Sequence, residues 1–259
     1  MTPKIHIPDI QNQKDHRKIT IDKVGVKSIK YPIIVSDRRN EIQHTVADIN
    51  FYVELPHSER GTHMSRFVEV LNHYHQEDII NNLDKLLSEI KKSLKADAAY
   101  IEISFDYFIL KQAPVSKISS YLNYKCFFKA SLSSGFDFWI GVKVPVTSLC
   151  PCSKEISQYG AHNQRSEVTL AVQYKDFIWL EELIGLIEET GSSEVYSLLK
   201  REDEKYVTEQ AYNNPMFVED IVRELTVKLS NDKRILHFEI ESENFESIHN
   251  HNAYACKRI

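Results

Sequence analysis

No apolar run in this sequence approaches the roughly 18 residues that a membrane-spanning helix needs, so a transmembrane helix is excluded at the outset. Glycine (7) and proline (8) are scarce for 259 residues, while 42% are hydrophobic and 10% aromatic, which excludes a linker, a low-complexity tract or a disordered chain. Only four cysteines occur, Cys126, Cys150, Cys152 and Cys256, too few for a disulfide framework. No charged, then apolar, then small-residue leader opens the chain, and with so few cysteines a reducing cytoplasm is expected. Positive charge is also in deficit. Lys+Arg number 32 against 37 Asp+Glu, a net charge of −5, which argues against a general nucleic-acid binder without excluding one local basic pocket. What is plentiful is histidine, with 11 residues whose placement carries most of the functional information.

The first 21 residues are polar and without period, and are expected to form an arm outside the fold. Val24, Val26, Ile29, Ile33 and Val35 alternate, as do residues near 43–56, predicting a hairpin through Asp-Arg-Arg-Asn. Phe67, Val70 and Leu71, then Ile80, Leu83, Leu86, Leu87, Ile90 and Leu94, recur at helical spacing. Alternation returns over 98–112 and 120–133, giving strand, strand, helix, helix, strand, strand. The second half reads in the same order, with strands near 136–149 and 166–176, helices near 177–191 and 214–230, and strands near 234–245 and 252–259. The expected class is α+β, built from two tandem ββααββ modules over 22–134 and 135–259. Such antiparallel sheets leave edges that pairing with another copy would close, so a homo-oligomer is expected.

The segment joining the first two strands of the second half, residues 145–166, holds Cys150, Cys152 and His162 within thirteen positions. Thiolate and imidazole suit Zn, Fe or Mn-type ions, and a catalytic site needs about three protein ligands with one position open for water. The spacing matches no common structural zinc motif, and a pair of buried thiols beside a surface imidazole is the plainer alternative. Near the C-terminus, Glu246, His249 and His251 fall within six positions. An extended backbone there would send both imidazoles to one face, as an acid–base pair requires; a polar loop with incidental histidines is the alternative. Glu204 lies in a charged stretch that reads as a solvated helix start. Glu219 sits beside an apolar helical stripe, where the helix dipole favours a carboxylate in any case. Gly61, Thr62, His63, Ser65 and Arg66 precede and open a helix, where they could hold a phosphate or merely cap it.

These strings are similar to a known family. PVTSLCPCSKEISQYGAHNQRS, with KREDEKYVTEQAYNNPMFVED and NFESIHNHNAYA downstream and GTHMSRFVE upstream, resembles the type IB GTP cyclohydrolases, from about residue 20 to the C-terminus. The resemblance implies a tunnelling fold of two tandem ββααββ modules, a homotetramer with active sites at subunit interfaces, and hydrolysis of GTP to 7,8-dihydroneopterin triphosphate and formate. That reaction feeds tetrahydrofolate synthesis and, in many bacteria, queuosine. It further implies a divalent ion, Mn, Fe(II) or Zn, with Cys150, His162 and Glu204 as ligands. Glu246, His249 and His251 are implied as the remaining catalytic residues, Cys152 as a supporting or proton-transfer thiol, and Glu219 as the purine anchor. Arg66, His63, Lys154, Arg165 and Lys205 are the candidates for holding the triphosphate; no nucleic-acid or membrane partner is implied. Two alternatives stand beside this reading: a non-catalytic protein of the same fold with a structural zinc, and a sister enzyme using Cys150 as a covalent nucleophile.

Overall fold

The computed structural model describes residues 11, 13–74 and 79–259. The remaining arm residues, 1–10 and 12, and the end of the first predicted helical segment, 75–78, lie outside the described residues.

The elements run in the order β1 (Ile21–Asp37), β2 (Glu41–Leu55), α1 (Ser65–His73), a 3₁₀ turn (Ile80–Asn82), α2 (Leu83–Leu94), β3 (Ala99–Gln112) and β4 (Ser119–Leu132). Then come β5 (Phe136–Leu149), α3 (Pro151–Ile156), β6 (Asn163–Tyr174), α4 (Leu180–Glu188), β7 (Ser193–Glu194), α5 (Arg201–Asn213), α6 (Val218–Asn231), β8 (Ile235–Asn244) and β9 (Ala253–Arg258). The strand order is β1-β2-β3-β4-β5-β6-β8-β9, with β7 paired to β5. The first half follows the expected ββααββ order. In the second half α3, β7 and α5 are additions that hydrophobic periodicity did not mark, because α3 and α5 carry no apolar stripe and β7 is two residues long.

By contact the chain divides into two compact units. The first comprises the described residues of Met1–Ser36, with Ile42–Ser104 and Phe128–Phe138; the second comprises Asp37–Glu41, Phe105–Phe127 and Trp139–Ile259.

In the first unit, Ala47, Ile49, Phe51 and Val53 of β2 point inward at every second position, as do Ala99, Ile101 and Ile103 of β3. Leu83, Leu86, Leu87 and Ile90 supply the buried stripe of α2, and Phe67, Val70 and Leu71 that of α1. The arm, set aside on sequence grounds, makes backbone hydrogen bonds over its described residues: Asp15 N–H donates to Ser58 O at 3.1 Å and Arg60 N–H to Gln13 O at 3.0 Å.

In the second unit β5 pairs antiparallel with β6, β6 with β8 and β8 with β9. Val142, Val144 and Val146 of β5, Val168, Leu170 and Val172 of β6, and Phe238 and Ile240 of β8 are buried with the stripes of α4 (Leu183, Ile184, Ile187) and α6 (Ile221, Val222, Leu225, Leu229). The turn between β1 and β2 closes on Asp37, whose carboxylate accepts the N–H groups of Arg39 (2.8 Å) and Asn40 (2.7 Å), as the Asp-Arg-Arg-Asn signal required. Arg234 ties the start of α4 to the end of α6, donating to Glu182 at 2.9 Å and Asp232 at 2.8 Å.

Arg234 holds the carboxyl of Asp232 below its usual range, and it does the same at Glu182 against the opposing effect of burial. A depressed carboxylate stabilises the folded state above its unfolded pKa of about 4 and loses that contribution as pH falls through the folded value. Arg234→Ala is therefore expected to cost about 1 kcal/mol near neutrality, the solvent-screened value for a partly exposed ion network. In urea titrations the difference from the unaltered protein should shrink below about pH 4; a gap that widens in acid would contradict this.

Candidate active site

The site begins where β5 and β6 end their pairing, at Leu149 opposite Asn163. One residue further out on each side stand Cys150 and His162, and the Cys150 N–H donates to His162 O at 3.1 Å. Cys150 is also the N-cap of α3: its extended backbone (φ −67°, ψ 116°) precedes Pro151, and its Sγ accepts the Ser153 N–H at 3.4 Å. Ser153 closes the loop, since its Oγ donates to Cys150 O (3.2 Å) and accepts the His162 N–H (3.2 Å). Gly160 turns the chain back with φ +109°, a conformation that side chains rarely adopt. The backbones of Cys150 and His162 thus lie side by side at the end of the β5–β6 ladder. Both are half-buried, whereas Cys152 is exposed.

The C-terminal segment reaches the same place. Phe245 N–H donates to Arg165 O at 2.9 Å, and Ser247 Oγ lies 3.3 Å from His162 Nδ1. Glu246 is half-buried, and His249 and His251 are exposed with their rings stacked, centroids 5.1 Å apart and planes 14° apart. Residues 247–251 form bends rather than a strand, so the pair is brought together by the loop and not by a two-residue period.

Glu219 is likewise led toward this region through the backbone. Met216 N–H donates to Leu149 O at 3.1 Å, the last residue of β5, and two residues later α6 begins with Glu219 exposed in its first turn. Glu204 is exposed near the start of α5. That helix start is locked by Asp203, whose buried carboxylate accepts the N–H groups of Val115 (2.8 Å), Ser116 (2.9 Å) and Lys200 (2.9 Å).

The basic candidates differ in what they already do. Lys154 Nζ donates to Tyr212 O at 2.5 Å and lies 4.5 Å from the Tyr212 ring centre. Lys205 pairs with Glu209 at 2.8 Å, and Arg165 is exposed on β6. In the first unit, Arg66 donates to Ser93 O at 2.7 Å and, with His63, lines a cavity of about 120 Å³. Met64 caps α1 without a side-chain hydrogen bond, so neither Thr62 nor Ser65 serves as that cap.

Among the described residues, no three His, Cys, Asp or Glu side chains come close enough together to hold a metal ion. What the loop does bring side by side are the backbones of Cys150 and His162, whose thiol and imidazole are donor types that suit Zn or Fe(II). Glu204 is not gathered with them into such a cluster. Sequence reasoning missed the polar side chains behind the pair: Ser148, Gln164 and Asn244 are all buried. A signal for them exists, since each falls at the inward parity of its strand, where Val146, Val168 and Ile240 are the apolar neighbours.

The family model described as type I GTP cyclohydrolase folE2 matches residues 7–255. GTP cyclohydrolase FolE2 of Geotalea uraniireducens (strain Rf4) is 59% identical over 248 residues, 96% of this chain and 92% of that protein. GTP cyclohydrolase FolE2 of Geobacter sulfurreducens is 57% identical over 250 residues, 96% of this chain and 97% of that one. Among solved structures, uricase from Arthrobacter globiformis superposes with a TM-score of 0.55 at 8% identity, covering 92% of this chain and 93% of that one. A highly active mutant of Bacillus sp. TB-90 urate oxidase gives 0.51 at 9% identity, covering 92% and 99%. These likenesses concern the fold alone, and they agree with the expected tunnelling fold. The chain belongs to the type I GTP cyclohydrolase FolE2 family.

Proposed function

We propose that this enzyme hydrolyses GTP to 7,8-dihydroneopterin triphosphate and formate, and that the loop carrying Cys150 and His162 is the centre of its active site. The observation that carries the reading is the convergence of two sequence-distant segments: Ser247 Oγ stands 3.3 Å from His162 Nδ1, which brings the stretch holding Glu246, His249 and His251 to the thiol–imidazole pair.

Cys150 and His162 would supply two ligands to a divalent Mn, Fe(II) or Zn ion; the family resemblance implies Glu204 as the carboxylate ligand, which the described residues of this chain do not by themselves bring to the pair. The ion, when bound, supplies the Lewis acidity that makes water a competent nucleophile toward C8 of guanine near neutral pH. His249 and His251 have the side-chain chemistry to give a proton to N7 or N9 as the imidazole ring opens, with Glu246 beside them to accept or orient it. A second water then hydrolyses the resulting formamide, so that C8 leaves as formate and the N7 amine is freed; the opened ribose rearranges to a ketone and condenses with that amine, losing one water, to form the dihydropterin ring. Glu219 accepts hydrogen bonds from guanine N1–H and the 2-amino group, and so fixes the base at the end opposite the phosphates.

The triphosphate needs concentrated positive charge, which a chain of net charge −5 has only locally. Arg165 and Lys205 offer exposed cations, and the homotetramer implied by the family resemblance would gather such groups, with Arg66, His63 and Lys154, at subunit interfaces. Among the described residues the sheet ends on β1 and β9, two edges available for pairing between copies.

The activity is tested with GTP carrying ¹³C at C8. Labelled formate and a fluorescent pterin should appear in equal amounts, and ATP should give neither. Retention of the label in the nucleotide would contradict the proposal.

A further inference from the structure

Behind His162 lies a chain of buried hydrogen bonds with one free end and one fixed end. Its fixed end is the carbonyl of Met216, which can only accept, and Ser148 Oγ lies 2.8 Å from it. Ser148 therefore spends its single proton on that carbonyl, and its oxygen accepts from the two amides facing it: Gln164 Nε2 at 3.3 Å and Asn244 Nδ2 at 3.2 Å. Asn244 is oriented by its other atom, since Oδ1 accepts the hydroxyl of Ser166 at 2.6 Å. With Nε2 of Gln164 committed to Ser148, its Oε1 faces His162 Nδ1 at 3.0 Å. An amide oxygen cannot donate, so at this shorter contact Nδ1 supplies the proton, and the Ser247 hydroxyl, 3.3 Å from the same nitrogen and able to donate or accept, then takes the accepting role. Ser148 and Ser166 are fully buried, Gln164 is 7% and Asn244 3% exposed, so water does not compete for these bonds.

From this directionality we infer that Gln164 is a positioning residue that locks His162 as the Nδ1–H tautomer and leaves the Nε2 lone pair for the metal ion. The inference rests on the reading of His162 as a metal ligand. It assigns to Gln164, backed by Ser148 and Asn244, the task of selecting which nitrogen binds and holding the ring against rotation. A ligating imidazole held in this way through its other nitrogen is a more basic and better oriented ligand, and loss of such a support lowers metal affinity roughly 10- to 100-fold. The same Ser148 proton holds the carbonyl two residues ahead of α6, so the loop bearing His162 and the helix bearing Glu219 share one buried anchor.

The test uses the full-length protein, labelled with ¹⁵N-histidine, stripped of metal and held near pH 8, with the His162 signals assigned by their loss in His162→Gln. Long-range ¹H–¹⁵N spectra are expected to show a protonated Nδ1 and a bare Nε2 at His162 in the unaltered protein. Gln164→Leu should release the ring, so that the proton moves largely to Nε2, and should weaken Mn(II) binding roughly 10- to 100-fold at unchanged Tm. Gln164→Glu, which restores an acceptor, should return the Nδ1–H form. A protonated Nε2 in the unaltered protein overturns the inference without any variant being needed. So does a Gln164→Leu protein with unchanged tautomer and unchanged Mn(II) affinity. If the tautomer shifts as expected but His162→Gln binds Mn(II) as tightly as the unaltered protein, the ligand reading of His162 has failed, and the inference falls with it for a reason the spectra identify.

Discussion

Cys150→Ala is expected to reduce GTP turnover to background and to release bound metal on dialysis, while leaving the fold in place. Cys150 is one of the two proposed donors on the loop between β5 and β6; of the other cysteines, Cys126 is buried on β4, Cys152 is exposed on α3 and Cys256 is exposed on β9. The structural cost is small. Cys150 Sγ accepts one N–H, from Ser153 at 3.4 Å, and losing such a cap on a six-residue helix costs about 1 kcal/mol or less. Activity and metal content should therefore collapse at nearly unchanged Tm. This separates the enzyme from the alternative with a structural zinc, in which losing a ligand would unfold the domain along with the metal. Full activity in Cys150→Ala would refute both the ligand assignment and the covalent-nucleophile alternative.

Glu219→Ala is expected to damage substrate recognition more than chemistry. Two hydrogen bonds from guanine to a carboxylate are worth about 1.5–3 kcal/mol each, so kcat/KM for GTP should fall by about 100-fold or more, mainly through KM. Glu219 is exposed in the first turn of α6, and Asp220 accepts the Phe217 N–H at 3.0 Å that caps this helix, so the helix start survives the substitution. Steady-state kinetics with GTP and with inosine triphosphate, which lacks the 2-amino group, provide the check. The unaltered enzyme should prefer GTP strongly, and Glu219→Ala should discriminate little between them. Unchanged GTP affinity would remove Glu219 as the base anchor.

Much of this molecule is written in periodicities. Ala47, Ile49, Phe51 and Val53 announce a strand, and Leu83, Leu86, Leu87 and Ile90 a helix, because one face of each must leave water. The same rule cannot register α5, whose buried residues are only Asp203 and Ala211 and whose start is held by hydrogen bonds from 115–116 rather than by an apolar stripe. The short α3 is equally silent, being only six residues long with none of them buried. The site divides along similar lines. Cys150 and His162 are twelve residues apart and meet because the strands that bracket them pair, a contact that local spacing suggests. The encounter of His162 with Ser247 spans 85 residues and depends on β6 pairing with β8, which no local pattern encodes. Gln164, Ser148 and Asn244 could have been noticed as polar residues at apolar parity, yet which partner each takes is decided only by the register across three strands.

The most direct measurement strips the protein with a chelator, adds GTP, and restores Mn(II), Fe(II) or Zn(II) one at a time while following formate and pterin fluorescence together. A metal-dependent GTP cyclohydrolase built on Cys150 and His162 should be silent when stripped and should release both products, in equal amounts, once a suitable ion is returned. Equal turnover before and after stripping, or no pterin with any of the three ions, would contradict that account.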